Sequence, residues 1–189
     1  MKSQEIAKGI WKISGNSNAY IIKKREIAID AGDYSERRDF EEEVRKIIPP
    51  ESIRQVFFTH LHYDHVGNYA LFSNAKLCAS EEEIKFFEKD RLGALINIEL
   101  SGKFSGKIFS AEKELEGSKF LKIIETPGHT GGSACYYMQK EKILFSGDTI
   151  FLRGYGRTDL PGGSIEKLRG SVRKIKGLEY RILFPGHDY

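Results

Sequence analysis

Three histidines and an aspartate stand within six residues in the stretch Thr59-His60-Leu61-His62-Tyr63-Asp64-His65-Val66-Gly67, and this cluster constrains the chain more than any other feature. Imidazoles and a carboxylate packed this densely make a set of metal ligands. The run directly before it, Ile53-Arg54-Gln55-Val56-Phe57-Phe58, is the β-branched and aromatic pattern of a buried strand. If extended geometry continues past the strand's end, residues 60, 62 and 64 project to one side and His65 elsewhere, because side chains alternate with period two. One short segment would then face two metal ions.

The other histidines fall where such a site needs them. The chain has five, and the two outside the cluster lie in Thr126-Pro127-Gly128-His129-Thr130-Gly131-Gly132 and Phe184-Pro185-Gly186-His187-Asp188-Tyr189. Each follows an apolar run through a Pro-Gly turn. No histidine is left over, so scattered surface or core imidazoles do not account for the pattern.

Around these motifs the chain alternates strands and helices. Strands are expected over Ile6 to Ile13, Asn18 to Ile22, Glu26 to Asp30, Lys76 to Ala79, Lys119 to Glu125, Ala134 to Met138, Lys142 to Ser146 and Arg181 to Phe184. A helix over residues 36 to 48 carries Phe40, Val44, Ile47 and Ile48 and stops at Pro49-Pro50. Ser80-Glu81-Glu82-Glu83 reads as a capping box that opens a helix through about Lys89. A last helix runs from about Ser164 to Lys174, with Ile165, Leu168, Val172 and Ile175 as its apolar stripe. Residues 90 to 118 are less legible: Leu92, Leu95, Ile96 and Leu100 suit a helix, and Ser101-Gly102 and Ser105-Gly106 suit loops.

Composition narrows the functional classes. A hydrophobic fraction of 40% beside 30% charged residues excludes disorder, and 189 residues suffice for one domain with a real core. No apolar run approaches the roughly 18 residues of a membrane span, and no secretory segment follows Met1, so a cytoplasmic location without membrane association is expected. The net charge of +3 is spread over mixed runs such as Glu36-Arg37-Arg38-Asp39, the signature of solvated helix faces and not of a nucleic-acid patch. Cys78 and Cys135 have no ligand-like spacing and are expected to be buried thiols.

In order, Ala28-Ile29-Asp30-Ala31-Gly32, the His-x-His-x-Asp-His cluster, Gly128-His129, Ser146-Gly147-Asp148-Thr149 and Pro185-Gly186-His187 resemble the motifs of the metallo-β-lactamase superfamily. The resemblance implies a four-layer αββα sandwich, two mixed sheets with outer helices, as a single domain over residues 1–189. It also implies that His60, His62 and His129 hold one metal ion, that Asp64, His65 and His187 hold a second, and that Asp148 bridges them. Asp30 would orient the metal loop through hydrogen bonds, and a metal-bound hydroxide would be the nucleophile, with no serine or cysteine in that role. Zinc is the expected ion, with iron or manganese as alternatives.

The ligand types discriminate among relatives. A glutamate at position 62 would suggest a flavodiiron oxygen reductase, and a cysteine at position 64 or 148 a lactamase subclass; this chain has His62, Asp64 and Asp148. The stretch from Phe151 to Gly163 is similar to one in small glyoxalase II-like hydrolases, which cleave thioesters. It is also similar to one in persulfide dioxygenases, where a single Fe(II) sits at the positions of His60, His129 and Asp148. Tyr155 and Arg157 are candidate substrate contacts, the alternative being that Arg157-Thr158-Asp159 pins a loop. Glyoxalase II proper adds a helical domain that helps bind glutathione, so a glutathione thioester is not the expected natural substrate. A metallo-hydrolase of small-molecule thioesters is the leading expectation, with homodimerisation left open.

Overall fold

Alternation along the strands sets the architecture of the computed structural model, which describes residues 1–188. The first sheet holds β1 (Lys2–Ala7), β2 (Ile10–Ser14), β3 (Asn18–Ile22), β4 (Ile27–Ile29), β5 (Gln55–Phe57), β6 (Lys76–Ala79) and β7 (Ile108–Ser110), side by side in sequence order. Tight connections make β1 to β4 antiparallel neighbours. From β4 onward the strands are parallel, because helical segments carry the chain back between them. These are α1 (Arg37–Ile47), α2 (Tyr63–Val66), α3 (Glu81–Lys89), α4 (Arg91–Leu95) and α5 (Ile98–Lys103).

After α6 (Ala111–Glu114) the chain builds β8 (Lys122–Glu125), β9 (Ala134–Met138) and β10 (Ile143–Gly147). The short strands β11 (Ile150–Phe151) and β12 (Gly154–Tyr155) pair with each other, and α7 (Ile165–Lys176) leads to β13 (Ile182–Pro185). The second sheet has the order β13-β10-β9-β8, with β13 parallel to β10 across the α7 crossover.

Odd and even residues of each strand go to different layers. Tyr20, Ile22, Ile27, Ile29 and Phe57 of the first sheet meet Tyr136, Met138, Ile143 and Phe145 of the second in one inter-sheet cluster. Their neighbours Ala19, Ile21, Ala28, Val56 and Phe58 turn outward onto α1, α3, α4 and α5, against Phe40, Val44, Phe87, Leu95 and Leu100. Cys135, Tyr137 and Leu144 turn outward onto Ile175 of α7. The result is the expected αββα sandwich. Each large apolar side chain taken fully out of water contributes about 1.5–3 kcal/mol.

Several boundaries differ from the sequence reading. The run Ile6 to Ile13 is not one strand: the chain turns at Gly9, whose φ of +75° suits glycine, and β1 pairs back on β2. Between residues 90 and 104 two short helices replace one, broken at Ile96 in the left-handed region (φ 48°), and Ser101-Gly102 lies inside α5. The strand β7 had no counterpart in the reading. Ser80 caps α3 by accepting from Glu83 N, but the Glu83 carboxylate does not return the bond to Ser80 N, so the capping box is half formed. No helix among the described residues is long and apolar enough to cross a membrane.

Candidate metal centre

Five loops meet at one edge of the sandwich, each at the C-terminal end of a strand: β4 delivers Asp30, β5 the 59–67 segment, β8 His129, β10 Asp148 and β13 His187. Leu61 is fully buried in the outer core layer, so its neighbours His60 and His62 face the opposite way, into the site. The extended chain ends at His62 (φ −61°, ψ 149°), and α2 starts at Tyr63. Here the sequence reading is corrected. Asp64 lies on a helical turn and does not continue the period-two row of residues 60 and 62; it joins His65, which also faces the site.

Seven side chains converge. His60, His62 and His129 form one group, Asp64, His65 and His187 a second, and His60, His65 and Asp148 a third between them, with ligand atoms in each group lying within 4.8 Å of one another. Asp148 is central. Its Oδ1 lies 3.3 Å from His65 Nε2, and its Oδ2 lies 3.3 Å from His187 Nε2 and 3.5 Å from His129 Nε2. Asp64 Oδ2 stands 3.5 Å from His187 Nε2. The turn before Asp148 requires glycine: Gly147 has φ +48°, and a Cβ there would come within 2.4 Å of Thr59 Oγ1.

Hydrogen bonds at the far ring nitrogens fix which atom faces the site. His129 Nδ1 donates to the Arg157 carbonyl at 2.8 Å, and His187 Nδ1 to the Asn16 carbonyl at 2.7 Å. His65 Nδ1 donates to Asp30 Oδ2 at 2.9 Å. Thr59 Oγ1 donates to the same oxygen at 2.9 Å and so accepts from His60 Nδ1 at 3.2 Å. With each Nδ1 carrying its proton outward, the Nε2 atoms of four imidazoles aim inward. His62 turns Nδ1 toward His129 Nε2 instead, 3.0 Å away.

The inward atoms are what a cation would satisfy. His60 Nε2, His65 Nε2 and Asp148 Oδ1 are buried without a hydrogen-bond partner, an arrangement that is costly unless a charge or ion compensates it. The protonation pattern divides the histidines: His60 and His62 are held neutral, while His65 and His187 keep a second ring proton beside the carboxylates, a positive charge that a metal ion would replace. Burial and the neighbouring imidazoles hold His60 well below its ordinary range, and burial with His129 lowers His62 to about 3. Burial opposes a charged His187, but hydrogen bonds to Asp148 and Asp64 outweigh it and raise this imidazole to about 9. Burial likewise acts against ionised Asp148, yet His65 and His187 hold its carboxyl well below the usual range. The residues present fit divalent metal: five imidazoles and two carboxylates, with ligand atoms directed into one space.

Asp30 sits behind the 59–65 segment. Its carboxylate accepts from Thr59 N at 2.8 Å as well as from Thr59 Oγ1 and His65 Nδ1, so it ties both ends of the 59–65 segment. In front lies a cavity of about 430 Å³. His62, Asp64, His129, Asp148 and His187 form its floor, with Ile96, Phe151, Arg153, Tyr155, Arg157 and Leu160 around them. Tyr155 and Arg157 are therefore at the cavity. The Arg157 guanidinium pairs with Asp159 at 2.7 Å in solvent, while its carbonyl accepts from His129 Nδ1. Sequence reasoning missed Asn16, which no local pattern marks, gave Ile96 and Phe151 no individual role, and took Glu83 for a helix cap.

A strand-end centre of histidines and aspartates between two mixed sheets defines a class of metal-dependent enzymes. The chain belongs to the Metallo-beta-lactamase superfamily, whose family model matches residues 14–187. It is 33% identical to a probable metallo-hydrolase of Methanocaldococcus jannaschii, over 94% of this chain and 92% of that protein. It is 30% identical to the hydroxyacylglutathione hydrolase of Bartonella tribocorum over 73% of this chain, and spans about half (50%) of that enzyme. Among solved structures, TTHA1623 in a di-iron-bound form superposes with a TM-score of 0.71 at 26% identity, over 94% of this chain and 91% of that one.

Proposed function

We propose that the protein hydrolyses thioesters of small molecules at a binuclear metal centre, with zinc as its ion. The observation that carries this reading is the set of buried ligand atoms aimed into one space in front of an open cavity. His60, His62 and His129 would hold one ion, Asp64, His65 and His187 the other, and Asp148 would lie between them. Divalent ions bound there lower the pKa of coordinated water toward about 7 and polarise a carbonyl. The chain's own residues supply the rest. Asp64 and Asp148 bring two negative charges, fewer than two divalent ions would carry, so the site stays electropositive toward an anionic transition state. Ile96 and Phe151 wall the cavity with apolar surface, and Tyr155 and Arg157 at its mouth would contact the substrate. Cys78 and Cys135 are buried and outside the cavity lining, which leaves no thiol nucleophile there.

The relatives that are hydroxyacylglutathione hydrolases support the thioester class. A mononuclear Fe(II) dioxygenase would hold its ion at the positions of His60, His129 and Asp148 and keeps the same seven side chains, so metal content and turnover decide between the two readings. Metal analysis after anaerobic purification tests this: two zinc per chain with hydrolysis of S-lactoylglutathione or a simple thioester is expected. One iron per chain with oxygen uptake on glutathione persulfide would overturn it.

A further inference from the structure

Glu83 lies in the first turn of α3, fully buried, outside the cavity lining and with no hydrogen bond to a ligand side chain. A carboxylate in such a place is costly unless it is well paired, and this one is paired across two loops. Oε1 accepts from Leu61 N at 3.0 Å, the amide between His60 and His62. Oε2 accepts from Thr130 Oγ1 at 2.7 Å and from Gly132 N at 3.1 Å, in the segment that follows His129. Ser80 Oγ donates to the Gly132 carbonyl at 2.5 Å, so the start of α3 grips this second loop on both sides of one residue. The approach is close enough to demand glycine: a Cβ on Gly132 would come 2.2 Å from Glu83 N.

Those two loops come from different sheets, and they must agree on one distance. His62 Nδ1 and His129 Nε2 stand 3.0 Å apart, one atom from each loop. The hydrogen bond from Ala134 N to Thr59 O joins the same two segments nearer their strands, at 2.8 Å. Glu83 joins them farther along, beside the imidazoles themselves. We propose that Glu83 is a positioning residue, whose two carboxylate oxygens set the separation at which His60, His62 and His129 share one metal ion. The inference rests on the metal reading of this trio.

The test is zinc affinity, measured on the metal-free full chain by competition with a chromophoric chelator. In Glu83→Gln, shape and the Oε1 acceptor are kept, but an amide N–H₂ faces the N–H of Gly132, donor against donor. Zinc affinity is expected to fall about ten- to hundredfold, the range found when groups supporting metal ligands are lost, and the rise in melting temperature on adding zinc shrinks with it. Thr130→Val removes one donor only and is expected to lose less than Glu83→Gln, in the same direction. If Glu83 merely stabilised the fold, metal-free and zinc-loaded forms would melt lower by the same amount and the affinity would be unchanged, which overturns the proposal. Should Glu83→Gln not fold, unchanged zinc affinity in Thr130→Val overturns it equally. An unsubstituted protein that binds no zinc would overturn this inference together with the metal reading beneath it, whereas tight zinc binding without thioester hydrolysis would count against the substrate class alone.

Discussion

The space between the two sheets and the rim at their strand ends are equally buried and built from opposite chemistry. Between the sheets, Tyr20, Phe145 and Phe184 pack ring to ring at 5.2–5.4 Å among isoleucines. At the rim, Asp30, Thr59, His60, His65, Glu83 and Thr130 are just as inaccessible, yet all are polar and most are hydrogen-bonded across loops distant in sequence. The interior gains stability from removing apolar surface from water. The rim stores unpaired lone pairs and holds them in place, so its polar groups trade stability for a fixed arrangement.

Substitutions can pull these two regions apart. The largest effect is expected from His129→Ala, which removes a group common to the first trio and the contact with Asp148: turnover in a thioester assay should be abolished, with the metal-free protein still folded by circular dichroism. Retained activity would remove the centre from the chemistry. Phe145→Ala, by contrast, should cost about 3–5 kcal/mol in urea unfolding while leaving zinc affinity near that of the unsubstituted protein. A matching loss of zinc affinity would show that the two regions are mechanically coupled. The smallest signal is expected from the thiols. Burial pushes Cys78 up to about 12 and Cys135 to about 11. Raised values keep both neutral at pH 8, so the native protein should take up no thiol reagent and the denatured chain two equivalents. Rapid labelling of native Cys135, which lies beneath the rim beside Thr126 and Thr149, would show that this layer opens in solution.

The same contrast explains what could be read beforehand. Strands such as Ala134–Met138 were legible because alternate residues must suit different layers, and α1 because Phe40, Val44 and Ile47 recur at helical spacing. The ligands were legible because histidine is scarce here and each lies in a motif. Asp64 was assigned to the wrong row because nothing in Tyr63-Asp64-His65 announces that the strand gives way to a helical turn. Glu83 was misread for a related reason: Ser80 and Glu83 satisfy a local capping pattern, and only the tertiary arrangement shows that the carboxylate spends its bonds on Leu61, Thr130 and Gly132. Ile96 is the converse case, a residue whose place in the cavity wall depends on a left-handed backbone that isoleucine seldom adopts.

His129 takes its orientation from the main chain of Arg157 and not from the guanidinium. Any amino acid at that position offers the same carbonyl, so the mouth of the cavity can be re-lettered there while the imidazole keeps its anchor. The anchor of an imidazole and a side chain of the cavity lining thus meet at a single residue and remain separately adjustable.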